Sequence, residues 1–125
     1  MPGLLIIAHA PLASTLKQVA AHVFPHQGGL EAVDVLPHQP PEVAEAAARA
    51  LLDVVRDPDA LVLTDVFGGT PCNVALRLSD SSHVRVVVGV NVPMLWRAIS
   101  YRHLPLSELV ERAVATFRAH GLSAY

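Results

Sequence analysis

The chain has 125 residues, 52% of them hydrophobic, with 9 Lys and Arg against 11 Asp and Glu for a formal net charge of −2. That length can bury a core of its own, so residues 1–125 are read as a single domain, and no apolar run approaches the roughly twenty residues of a membrane-spanning helix. Lys17 is the only lysine and no basic cluster occurs, which leaves neither a phosphate-neutralising stripe for nucleic acid nor a polybasic segment for a membrane surface.

Cys72 is the single cysteine, so an intrachain disulfide is not available. Met1-Pro2-Gly3 runs directly into apolar residues without a basic n-region or a cleavage site. The expected location is cytoplasmic.

Short apolar runs alternate with longer amphipathic ones, the pattern of parallel strands joined by crossover helices. A first strand is expected over Gly3 to Ala8, almost uncharged and therefore buried on both faces. A helix follows near Leu12 to Phe24. The second strand, Glu31 to Leu36, carries Glu31 and Asp34 and suits an edge. Prolines at 37, 40 and 41 punctuate a loop, and "PEVAEAAARALLDVV" predicts a helix over Pro41 to Val55. A third strand is expected over Ala60 to Thr64, a helix over Pro71 to Leu78 and a fourth strand over Val84 to Gly89. Helical patterns near Pro93 to Arg102 and Leu106 to His120 complete the chain, with Gly121 as a C-terminal stop.

Between the third strand and the next helix lies "LTDVFGGTPCNVA". Its two glycines let the backbone turn where a side chain would clash, and Thr70-Pro71 reads as an N-cap followed by the first helical residue. If the strands adopt the common doubly wound order 2-1-3-4, the first and third are neighbours, and their C-terminal ends flank the crevice where open α/β sheets bind ligands. His9 and Asp65 would then meet in that crevice. A carboxylate holding one ring nitrogen as N–H leaves the other free to attack phosphorus. Gly68, Gly69 and Thr70 would offer backbone amides and a hydroxyl to phosphoryl oxygens. Each residue also has an ordinary explanation: a loop histidine, an aspartate of turn chemistry, a threonine that only caps a helix. The pairing depends on the strand order.

Cys72 reads as a packed side chain. His22 and His26 flank Pro25 without an acidic partner in a zinc-type pattern, and His38, His83, His103 and His120 receive no chemistry. The nucleotide loops G-x-x-x-x-G-K-[ST] and G-x-G-x-x-G do not occur. No arginine lies near His9 or in the Asp65 turn, which favours brief handover of a phosphoryl group over tight capture of a phosphomonoester.

"LLIIAHAPLASTL", "LVLTDVFGGTPCNVALRL" and "VVVGVNVPMLWRAI", in this order and spacing, resemble the mannose-family EIIA domain of the bacterial phosphoenolpyruvate-dependent sugar phosphotransferase system, and "LSELVERAVATFRAHG" extends the likeness over nearly the whole chain. The resemblance implies an α/β fold with three layers: an open, doubly wound, mostly parallel sheet in order 2-1-3-4, and a last strand exchanged across a homodimer, here drawn from the short "GLSAY". It implies a phosphohistidine carrier that accepts from phospho-HPr on His9, with Asp65 as its hydrogen-bond partner and Thr70 beside the phosphoryl site, and donates to an EIIB domain. No metal or cofactor is implied. We expect the phosphoryl group on Nε2, with Nδ1 facing Asp65. Ala10-Pro11 replaces the glycine usual after the histidine, and Phe67 the tryptophan common in the turn; neither change removes a group the chemistry requires. Asn91-Val92-Pro93-Met94 either closes the rim of the crevice or is a strand-to-helix turn with Pro93 as first helical residue. Two other functions fit the same residues: a non-transport regulatory module switched by phosphorylation, and a phosphocarrier for dihydroxyacetone kinase, against which the Gly68-Gly69-Thr70-Pro71 turn speaks. The sequence names no sugar.

Overall fold

Side-chain alternation along the central strands dictates the layers. In the computed structural model, which describes residues 1–115, 119–120 and 123–124, β1 (Gly3–His9), β2 (Leu30–Val35), β3 (Ala60–Thr64) and β4 (Val84–Val88) pair in parallel in the order β2-β1-β3-β4. Leu4, Ile6 and Ala8 of β1 point to one face with Leu61 and Leu63 of β3, while Leu5, Ile7, Ala60 and Val62 point to the other. Successive strand residues face opposite ways, and here both faces are apolar, so both must be covered.

Helices α1 (Leu12–Val23), α4 (Val92–Ser100) and α5 (Leu106–Ala113) cover the first face. They bury Ala13, Leu16 and Ala20, Leu95, Ala98 and Ile99, and Leu106, Leu109 and Ala113. Helices α2 (Pro41–Val55) and α3 (Thr70–Leu78) cover the second with Ala44, Ala48, Leu52 and Val55, and with Val74, Ala75 and Leu78. Each fully buried Leu or Ile contributes about 1.5–3 kcal/mol relative to exposure. The small alanines let α2 lie close to the sheet. Gly3 serves the same approach, because a Cβ there would overlap the carbonyl oxygen of Val55.

The expected fold class and strand order hold, and β2 is an edge as its charges suggest. Two helices end earlier than their sequence patterns. The pattern from Pro93 to Arg102 stops at Ser100, because the buried Arg102 turns away to donate from Nε to Pro2 O at 2.7 Å and from Nη1 to Gly28 O at 2.5 Å. Burial lowers the pKa of Arg102. The pattern from Leu106 to His120 stops at Ala113, and just past its cap Val114, Arg97 Nη2 donates to the Ala115 carbonyl at 3.1 Å.

Ala119–His120 (β5) is strand and pairs antiparallel with Ser123–Ala124 (β6). Of the segment expected to exchange between subunits, residues 121–122 and 125 lie outside the described residues, as does the expected stop at Gly121.

Candidate functional site

Parallel pairing of β1 with β3 sets Ile7 beside Thr64, so the chains leave the sheet together and deliver His9 and Asp65 to one edge. Asp65 Oδ2 accepts from the backbone N–H of His9 at 3.0 Å and lies 2.7 Å from His9 Nδ1. Asp65 Oδ1 accepts from the backbone N–H of Val66 at 2.9 Å. Burial of the carboxyl works against its ionisation, but the His9 backbone and ring, the Val66 amide and the charge of a protonated ring prevail, holding the Asp65 pKa below its ordinary value. An ionised carboxylate only accepts, so Nδ1 carries the proton, and whenever the ring is neutral its lone pair is on Nε2. The Asp65 side chain is 11% exposed and that of His9 54%. The acid is sheltered and the ring faces out.

The glycine turn lies against the ring. Gly68 has φ +89°, a left-handed conformation that suits glycine. Gly69 has an extended backbone and packs against the Cε1 side of His9. Gly69, not Thr70, is the N-cap of α3; Thr70 is its first residue and Pro71 its second. The expected Thr70 cap is therefore corrected by one residue: a proline is tolerated anywhere in the first turn, so Pro71 does not fix the start. No side chain caps α3, and its opening amides and the Thr70 hydroxyl remain available for an anion.

Neighbouring loops brace this edge. The carbonyl of Thr64 accepts from the amides of Gly89 and Val90 at 2.8 and 2.9 Å, tying the β4 exit to β3. The Ala10 amide donates to Val35 O at 2.9 Å, and Asp34 Oδ1 accepts from the Ser14 amide at 3.0 Å, so β2 caps α1 from across the sheet. Asp34 reads in the sequence only as an edge charge, and nothing local marks it as a cap. Asn91 is the N-cap of α4, its Oδ1 accepting from Met94 N at 2.9 Å, with Val92 rather than Pro93 as first helical residue. An Asn two residues before a Pro is the signal that could have found it. Cys72 is buried.

Nothing in the sequence marks His83 for chemistry, yet its Nδ1 lies 2.7 Å from Asp59 Oδ1. This second pair sits where β3 and β4 begin, at the opposite end of the sheet from His9.

A family model described as the PTS system fructose IIA component matches residues 3–114. The chain belongs to this EIIA family. Among relatives of this EIIA chain, the PTS system fructose-specific EIIA component of Bacillus subtilis (strain 168) is 30% identical over 118 residues, covering 92% of the chain and 81% of that protein. The PTS system mannose-specific EIIAB component of Escherichia coli (strain K12) is 33% identical over 122 residues, covering 93% of the chain; the chain spans 37% of that relative's length. The crystal structure of phosphotransferase system component EIIA from Streptococcus agalactiae shares the fold, with TM-score 0.81, 24% identity and coverage of 91% of this chain and 90% of that one. No helix among the described residues is long and apolar enough to cross a membrane.

Proposed function

We propose that this EIIA chain is a phosphohistidine carrier in which His9 Nε2 accepts the phosphoryl group of phospho-HPr and passes it to an EIIB domain in the cytoplasm. The observation that carries this reading is the orientation of the His9 ring: Nδ1 is held by Asp65 at 2.7 Å, while the side chain is 54% exposed and its Cε1 and Nε2 lie beside Gly69 of the turn that opens α3. The Nε2 lone pair attacks phosphorus, the bond from phosphorus to the donor breaks, and its electron pair stays with the donor. The Nδ1 proton does not move. The positive charge that develops on the ring is stabilised by Asp65, and the charge on the phosphoryl oxygens by the amides of Gly68, Gly69 and Thr70 and by the Thr70 hydroxyl. Handover to EIIB is the same displacement reversed.

Carrier function also needs a surface for docking proteins. Leu12, Leu36, Val66, Phe67 and Val92 all lie where chains leave the C-terminal ends of the strands, and all are exposed, Phe67 to 82%. Apolar side chains exposed around a reactive group support a protein partner there.

Incubation with phosphoenolpyruvate, enzyme I and HPr tests the proposal. The wild-type chain becomes labelled, and His9→Ala does not. Labelling of His9→Ala at the wild-type rate would overturn it.

A further inference from the structure

The two glycines of the turn are required for different reasons. At Gly68 a Cβ would meet nothing within 4 Å, but φ is +89°. That residue answers to backbone conformation. At Gly69 the backbone is ordinary, with φ −79° and ψ 166°, a region open to any residue. There the constraint is space: a Cβ would lie 3.0 Å from His9 Cε1, 3.5 Å from His9 Nε2 and 3.6 Å from Val66 Cγ2.

We infer that Gly69 is the residue that leaves Nε2 open as the phosphoryl acceptor, by placing no side chain against the Cε1–Nε2 edge of His9. The inference rests on the carrier reading and deepens it. A ring nitrogen attacks phosphorus along its lone pair, in the ring plane, and the incoming group must approach Nε2 on that line. A methyl at 69 presses on Cε1, the ring atom bonded to Nε2, and stands at ordinary contact distance from Nε2 itself. The ring cannot swing aside freely, because Nδ1 is held at 2.7 Å by Asp65, whose own position is fixed by the amides of His9 and Val66. Val66 Cγ2 would touch the methyl at an ordinary contact distance of 3.6 Å. Relief for the methyl asks the ring or the turn to give by a few tenths of an ångström, and a shift of His9 away from its place beside Asp65 changes the alignment of Nε2 with its donor.

Two properties of the site are thus set by two residues that border the ring. Asp65 decides which nitrogen is protonated. Gly69 decides whether the other can be reached.

Gly69→Ala separates these roles, since its backbone accepts alanine without strain. Two donors are used on the wild-type and variant chains: phospho-HPr in single-turnover rapid quench, and phosphoramidate, a small donor whose P–N bond breaks to release ammonia as the bond to Nε2 forms. The expected result is a variant that melts within a few degrees of wild type and slows at least tenfold with both donors. The loss appears in the rate at saturating phospho-HPr, with the concentration for half-maximal rate little changed. Equal rates for Gly69→Ala and wild type would overturn the inference and leave the carrier reading standing. Slowing with phospho-HPr alone would also overturn it, because Gly69 would then act on docking. A wild-type chain that takes no phosphoryl group on His9 would remove the carrier reading itself, and the inference with it.

Discussion

Asp65 spends both oxygens on three hydrogen bonds, two of them from His9, so one side chain fixes the position, tautomer and charge balance of the His9 ring. Asp65→Asn keeps an acceptor for the ring but loses the negative charge that a phosphorylated imidazolium would need under the carrier proposal. A hydrogen bond to a charged group contributes about 1.5–3 kcal/mol, which corresponds to a rate loss of roughly 10- to 150-fold. Rapid-quench transfer from phospho-HPr reads this, and an unchanged rate would show that Asp65 is only a loop fastener. The lowered pKa of Asp65 also has a consequence for stability. A carboxyl with a folded pKa below its unfolded value stabilises the fold fully above the unfolded value, and that contribution disappears as pH falls through the folded one. The ordinary value is 3.8. Thermal midpoints of wild type and Asp65→Asn should therefore differ by a constant amount down to about pH 4 and converge in more acidic solution. A gap that widened with acid would contradict the sign of the shift.

At the level of elements, helix ends in this chain are set by residues far away in sequence. Asp34 on β2 accepts from the Ser14 amide in α1, where the N-cap position is Pro11 and supplies no side-chain cap. Asp34→Ala leaves that amide without its acceptor and should cost about 0.5–2 kcal/mol, as other lost caps do. Chemical denaturation measures it, and a change below a few tenths would mean that solvent replaces the carboxylate fully. The same remoteness explains what could be read from the sequence. Strand cores such as Ala60–Thr64 and the α2 span Pro41–Val55 were legible to the residue, because apolar period and proline position are local signals. The ends of α4 and α5 were not, since they depend on Arg102 reaching Pro2 and Gly28 and on Arg97 reaching Ala115. The meeting of His9 with Asp65 was legible through strand order alone. The cap of α3 is ambiguous by one residue in the sequence, because threonine before proline fits the cap and the first turn equally well, and the structure places it at Gly69.

Across the whole molecule, the parallel sheet carries a histidine–aspartate pair at each end, and the contrast between them isolates what a phosphoryl acceptor needs. His9 and His83 both have Nδ1 2.7 Å from a carboxylate oxygen, and their side chains are 54% and 59% exposed. By ring orientation and access they are equals. Their surroundings differ in sign. Beside His9, the Gly68-Gly69 turn leads into an α3 N-terminus with no side-chain cap, a place where amides and the helix dipole favour added negative charge. Beside His83, the amides of Ser82, His83 and Val84 already point at Asp80 Oδ1, and those bonds help keep the Asp80 pKa low. A phosphoryl group on His83 would meet the carboxylate of Asp80, beyond the ring partner Asp59, with the nearby amides already engaged. Like charges about 4–6 Å apart oppose one another, so transfer there should be slow even though the nucleophile is oriented. His83→Ala should accept from phospho-HPr at the wild-type rate, and His9→Ala should stay unlabelled although its His83–Asp59 pair is intact. Mass spectrometry under conditions that preserve phosphohistidine locates the label. Label on His83 at a rate near that of His9 would mean that an oriented imidazole suffices and that the glycine turn contributes little to transfer.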